Sequence, residues 1–422
     1  MPASPCSARA AAARLLDQVL VEGQLLSEAL AQGTLDALSP ADRARAQRLA
    51  METFRGLERA DRLIARHTRK PPPLPVRNVL RLAVSELAQG GEAHGVVSEA
   101  VAIVGARARH KRLSGMVNAV LRKLADEAPR VWNDLRVPRL PGWLREPLVA
   151  AWGKGAVAAM ERAHLAGAPL DLTVNGDAED WVARLGGEVL PTGSVRLREA
   201  GQVTALPGYD AGAWWVQDAA AAMAAKVLAP QPGETVLDMC AAPGGKTLQL
   251  AISGAAVTAL DISARRMERV ADNLARTGLS ATCVVADALT HEGGYDAVLL
   301  DAPCSATGTI RRHPDLPHAR DGAGIGELIG MQAAMLDHAL SLLKPGGRMV
   351  FCTCSLLPDE GECQVDEALA RHTDLTVDRA SLDLPGIEPG WITEEGGLRL
   401  RPDYWPERGG MDGFYIACLR RG

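Results

Sequence analysis

Over residues 1–130, apolar positions recur at intervals of three and four, a spacing that predicts helices. In "LSPADRARAQRLAMETFRGLERADRLIARHTRK", Ser39 reads as an N-cap, Pro40 as the first helical residue and Asp42 as a first-turn acid. Ala50, Phe54, Leu57 and Ile64 then share one face, so one long helix is expected up to "KPPPLP" at 70–75. Proline ends it there, because it lacks the amide donor and restricts the residue before it. Helices are also expected in "VRNVLRLAVSELAQ" and "HKRLSGMVNAVLRKLADE", giving a small all-helical domain over 1–130. Residues 131–212 read as a linker helix followed by a small α+β unit, with short strands in "PLDLTVN" and "GSVRLRE".

The pattern changes again over 213–422. Apolar strands, "ETVLDMC", "AAVTALDIS", "ATCVVADA", "YDAVLLDAPC" and "GRMVFCTCS", alternate with helical segments. That alternation predicts an α/β domain with a parallel sheet covered on both faces. Ligands of such sheets bind beyond the carboxyl ends of the strands, so the polar residues there are the candidates.

The first of those ends is "DMCAAPGGKT", 238–247. A phosphate-binding P-loop needs glycine where Cys240 stands, and "CAAPGG" does not supply the dinucleotide fingerprint. A short glycine-rich turn without a pyrophosphate fits S-adenosylmethionine, with Cys240, Ala241, Ala242, Pro243, Gly244, Gly245 and Lys246 as the turn. Asp238, Asp261, Asp287 and Asp301 close four successive strands. A lone aspartate there is usually a cap or turn residue. A series of four points to an adenosyl cofactor, with Asp261 on the ribose hydroxyls and Asp287 near the adenine amino group.

Composition and charge refine this picture. Apolar residues make up 47% and charged residues 23%, as in ordinary globular proteins. No apolar run reaches membrane-helix length, and "MPASPCSARAAAARLL" lacks a basic stretch followed by an apolar one, so a cytoplasmic protein without membrane contact is expected. Residues 1–130 hold 20 Lys and Arg against 13 Asp and Glu, a net +7. The remainder, 26 against 38, carries −12. A basic third on an acidic body points to a polyanionic partner.

Eight irregularly spaced cysteines in so long a chain imply reduced thiols rather than a disulfide framework. Cys304, Cys352, Cys354 and Cys363 lack paired Cys-x-x-Cys knuckles, so no metal is expected. Cys352 lies deep in its strand and reads as core, whereas Cys354 at the strand end and Cys304 in "DAPCSATG" reach one cleft. A thiolate suits methylation of cytosine carbon-5, because its attack on carbon-6 makes carbon-5 nucleophilic. Asp301 then stands where an acid can stabilise charge at the ring's N3 edge, and the base must be splayed out to be reached.

The motifs "DMCAAPGGKT", "LDAPCSATGTIRRHPD", "CTCSLLPDEGE" and "GGMDGFYIACLRR" resemble, in order, those of the RNA cytosine-5 methyltransferase family, over roughly 210–422. "RNVLRLAVSELA" and "LSGMVNAVLRKL" resemble a NusB-like RNA-binding domain, a pairing similar to the Fmu/Sun type of bacterial 16S rRNA methyltransferases. The resemblance implies a Rossmann-like class I methyltransferase fold, S-adenosylmethionine as cofactor, a monomer, and small-subunit rRNA methylated before subunit assembly. It also implies Cys354 as nucleophile and Cys304 as an aid to product release. Ala306 and Gly361 depart from the Gly and Asn common in that family. A DNA cytosine-5 methyltransferase would use Cys304 as nucleophile instead, and an inactive rRNA-binding protein would use neither.

Overall fold

The computed structural model describes residues 7–421, so Met1–Cys6, part of the stretch read as lacking a leader, lie outside the described residues. The chain divides into two compact units, one made of residues up to Gly167 together with Ile310–Gly322, the other of Ala168–Thr309 and Ala323–Gly422.

The first unit is helical. The long helix expected after Ser39 is two helices, Pro40–Arg55 and Leu57–His67, with Gly56 between them at φ −96°, ψ 11°. The reason is packing. A Cβ at Gly56 would lie 2.4 Å from the Trp132 ring, so the glycine lets that indole close onto the backbone. Ser39 caps the first helix through the Asp42 amide. The helices Leu74–Ala88, Ala93–Ala106 and Ser114–Val131 complete one core around Leu80, Leu87, Val104 and Leu121. The linker helix, Gly142–Ala166, breaks at Gly153.

Ile310–Gly322 begins six residues after Cys304 in the chain yet packs into this helical unit. The Leu26 amide donates to Asp315 Oδ2 at 2.8 Å and Trp143 Nε1 to the Pro317 carbonyl at 3.1 Å. The stretch from 317, glycine-rich in sequence, forms a short helix, Leu316–Ala319, and the start of the helix Ile325–Ser341.

The second unit opens with four short strands, β1 (Leu170–Val174), β2 (Glu188–Val189), β3 (Val195–Leu197) and β4 (Trp214–Val216). They form an antiparallel sheet in the order β2-β3-β1-β4. The large sheet follows, with β5 (Thr235–Met239), β6 (Ala256–Asp261), β7 (Thr282–Val285), β8 (Tyr295–Asp301) and β9 (Leu343–Thr353) parallel in the order β9-β8-β5-β6-β7. Side chains alternate between its faces. Val236, Leu299 and Val350 enter one core, and Leu237, Leu300 and Phe351 the other. Beyond β9 the sheet gains β10 (Leu375–Val377), β11 (Leu398–Leu400) and β12 (Phe414–Arg421). β12 runs antiparallel between β9 and β10 and also pairs β11. The fold is Rossmann-like α/β, as expected, preceded by the α+β strands and the helical unit.

Candidate active site

The cavity lies where β5, β6, β8 and β9 end. Its volume is about 430 Å3. After β5 the backbone turns at Cys240 (φ 62°) and enters the helix Gly245–Ile252 through Gly244. The Ala241 amide binds the Leu260 carbonyl at 2.9 Å and the Ala242 amide reaches Asp261 Oδ2 at 3.2 Å, which moors the turn to β6. Asp261 also accepts from the Ser263 amide at 2.9 Å and faces Arg266 at 3.4 Å.

Of the residues expected to hold the cofactor, Cys240, Ala242, Asp261, Asp287 and Asp301 line the cavity. Ala241, Pro243, Gly244 and Gly245 shape the turn without lining it. Lys246 points instead to Asp301, with Nζ 2.6 Å from Oδ2 and 5.0 Å from the centre of the Phe414 ring. Asp301, with the ammonium on one oxygen, receives the Cys352 thiol on the other at 3.5 Å. Asp238 differs from the expected series of acids at strand ends. It lies inside β5, fully buried, and accepts from Thr247 Oγ1 at 2.6 Å. Burial pushes its carboxyl up to about 7.

The cysteines separate as their positions in the strand require. Cys352 is buried within β9 and packs in the core. Cys354 lies one residue past the end of β9, and its sulfur is 3.5 Å from that of Cys304, both on the cavity wall. The Cys304 thiol is held well above the ordinary thiol range, first by its contact with Cys354, then by burial and the charge of Glu360.

Two features that sequence reasoning missed fix this pair. Glu360, fully buried, accepts from the Ser305 amide (2.8 Å) and hydroxyl (2.5 Å), from the Ser355 hydroxyl (2.6 Å) and from Gln332 Nε2 (3.1 Å). Ser305 follows Cys304 and Ser355 follows Cys354, so one carboxylate ties both thiol-bearing loops. The sequence carried no signal for it, because Glu360 stands between the acids Asp359 and Glu362 and nothing local separates the three. Gly308 is the second feature. Its amide binds the Cys354 carbonyl at 2.9 Å, and its own carbonyl accepts from the Gly413 amide at 2.8 Å. A Cβ there would lie 1.9 Å from the Gly413 oxygen, so only glycine fits. Ala306, in contrast, holds φ 56° with a side chain, a strained position that glycine would relieve.

The residues fit an adenosyl cofactor. Ile262, 71% exposed, and Leu289 present bare apolar surface in the cavity, which a flat ring would cover. Asp261 and Asp287 stand beside it as acceptors. Among the described residues, no group of three or more His, Cys, Asp or Glu could hold a metal, and no helix is long and apolar enough to cross a membrane.

Comparison with known proteins follows the same division of the chain. The family "16S rRNA methyltransferase RsmB/F" matches residues 225–420, and the NusB family matches residues 6–126. The chain is 35% identical over 437 residues to a ribosomal RNA small subunit methyltransferase B of Erwinia tasmaniensis, covering 97% of this chain and 98% of that one. It is 36% identical to the protein of the same description from Sodalis glossinidius, covering 90% and 93%. Among solved structures, a methyltransferase homolog protein from Pyrococcus horikoshii shares 29% identity with a TM-score of 0.56, over 66% of this chain and 94% of that one.

Proposed function

Because the chain belongs to the RsmB/F family of 16S rRNA methyltransferases, with S-adenosylmethionine as cofactor, we propose that it methylates carbon-5 of a cytosine through a covalent bond between Cys354 and carbon-6. The observation that carries this reading is the sulfur pair at 3.5 Å on the wall of a cavity rimmed by strand-end acids.

S-adenosylmethionine supplies an electrophilic methyl group when bound. Cys240, Ala242, Asp261 and Asp287 are the residues that would hold it, with Ile262 offering apolar surface for its ring. The Cys354 thiolate adds to carbon-6 of the flipped-out cytosine, and the electron pair of the 5,6 double bond becomes available at carbon-5 to take the methyl. Loss of the carbon-5 proton to water returns that pair, and the bond from Cys354 to carbon-6 breaks. Cys304 keeps its proton at neutral pH and donates a hydrogen bond to the departing Cys354 sulfur, which is its part in release.

Asp301 orients the ring. Paired with Lys246, it is an acceptor, so it receives the exocyclic amino group rather than donating a proton to N3. The enzyme acts in the cytoplasm on rRNA before subunit assembly, as a monomer. Tritium release from rRNA labelled at cytosine carbon-5 tests the reading: release that requires S-adenosylmethionine supports it, and methyl transfer without release contradicts it.

A further inference from the structure

The two sulfurs on the cavity wall are placed to react with each other as well as with a base. Cys304 and Cys354 are both half-buried and both line the cavity, with their sulfurs 3.5 Å apart. A disulfide holds its sulfurs about 2.0 Å apart, so the pair has about 1.5 Å to close. Neither residue belongs to a strand. β9 ends at Thr353, and Cys304 lies in the irregular stretch after β8, so the side chains can turn toward each other without breaking a ladder.

The fold has already joined the loops that carry them. Bringing two thiols together across fifty residues costs chain entropy. Glu360 holds the ends in place by accepting from Ser305 and Ser355, the residues directly after each cysteine. The Gly308 amide adds a bond to the Cys354 carbonyl. The two thiols thus meet as groups of one preorganised site. The other described cysteines are placed differently. Cys352 and Cys418 are buried in the core, Cys283 and Cys363 are exposed, and Cys240 lines the cavity in the turn after β5.

We propose that Cys304 and Cys354 form an oxidisable dithiol, which hydrogen peroxide closes to a disulfide and a dithiol reductant reopens, so that methyl transfer stops and restarts with the redox state of the pair. The proposal rests on the reading that Cys354 is the nucleophile. The Cys354 thiolate attacks one oxygen of the peroxide, the O–O bond breaks, and a sulfenic acid forms. The departing hydroxide and the proton that Cys354 gave up make one water. Cys304 then attacks the sulfenyl sulfur, the S–S bond forms and the S–O bond breaks. That hydroxide leaves with the Cys304 proton as a second water. The two thiols lose two electrons and the peroxide gains them. Contact with Cys354, burial and the Glu360 charge keep the proton on Cys304 until that step, so Cys354 attacks first. A sulfenic acid left alone goes on to sulfinic acid, which thiols do not reduce, and Cys304 intercepts it. With both sulfurs in one bond, no thiolate remains to add to carbon-6, while Asp261, Asp287 and Ile262 on the cofactor side are untouched.

The test uses the full reduced chain, treated with hydrogen peroxide and then with dithiothreitol. Intact mass should fall by about 2 Da, two hydrogens, and digestion without reductant should link the peptides that carry Cys304 and Cys354. Methyl transfer should be lost in proportion to the linked fraction and return with dithiothreitol, with S-adenosylmethionine affinity unchanged by calorimetry. Cys304→Ser should instead gain about 32 Da as Cys354 passes to the sulfinic acid, and dithiothreitol should not restore its activity. Methyl transfer that survives full linkage overturns the proposal. So does a link from either sulfur to Cys240, recovery of Cys304→Ser equal to that of the unaltered chain, or loss of the effect in Cys283→Ser with Cys363→Ser. The bond is read by mass without methyl transfer, so failure of the methylation reading is seen separately.

Discussion

The sulfurs of Cys304 and Cys354, fifty residues apart in sequence, stand 3.5 Å apart at the ends of neighbouring parallel strands. Contact with the second sulfur, burial and the Glu360 charge all disfavour a thiolate on Cys304. Its pKa is raised, so the proton stays on as pH rises through the ordinary thiol range. The methylation rate is therefore expected to show no descending limb from Cys304 between about pH 7 and 9. Cys304→Ser, which keeps a donor, retains more turnover than Cys304→Ala. Rate–pH profiles of the three proteins check both statements, and a fall above pH 8 that vanishes in Cys304→Ser would contradict them.

Glu360 makes no contact with the cavity, yet it is expected to matter for turnover. Glu360→Ala leaves the Ser305, Ser355 and Gln332 donors buried without an acceptor, a loss on the order of 3 kcal/mol. Glu360→Gln keeps the volume but cannot accept from all of them, so it is the cleaner probe. Its kcat is expected to fall about a hundredfold from displaced thiols, with S-adenosylmethionine affinity unchanged. Calorimetric titration with the cofactor beside single-turnover kinetics separates positioning from simple unfolding.

Gly308→Ala tests the close approach of three backbones. With a Cβ forced against the Gly413 and Cys354 carbonyls, the loops must part. A destabilisation of about 1–3 kcal/mol is expected. Activity should fall further than that loss of folded protein accounts for, measured by thermal melts together with methyl transfer below the melting range.

Asp238 gives a pH signature in stability. Its carboxyl is pushed up to about 7 by burial, above the value of about 4 it has when unfolded. A raised pKa means that its contribution is fully present below about pH 4 and is lost as pH rises through about 7. Asp238→Asn removes that dependence. The stability of the unaltered protein relative to Asp238→Asn should therefore decline between pH 4 and 7, by on the order of a few kcal/mol, in paired denaturant titrations.

The parts of the fold legible in the sequence were those written as local pattern. Strands β5 to β9 announced themselves as apolar runs between helices, and their order brought Cys304 and Cys354 together as anticipated. Features set by distant packing were not legible. Gly56 divides a continuous helical pattern because Trp132, far along the chain, needs the space of a side chain. Asp238 looked like its three fellow acids, but its place within β5 turns it into the core. Glu360 could not be assigned because its partners Ser305 and Gln332 lie 55 and 28 residues away. Ile310–Gly322 reads as part of the methyltransferase sequence, and only tertiary contacts such as Asp315 with Leu26 place it among the helices.

The role of Cys354 can be read from the mass of the protein after incubation with rRNA and S-adenosylmethionine. Replacing Cys304 by Ala leaves the attack intact and removes the hydrogen bond to the departing sulfur, so a covalent protein–RNA adduct that already carries the new methyl group should accumulate. Replacing Cys354 by Ala should abolish both methylation and adduct. An adduct formed by Cys354→Ala and absent in Cys304→Ala would assign the nucleophile to Cys304 and contradict the account.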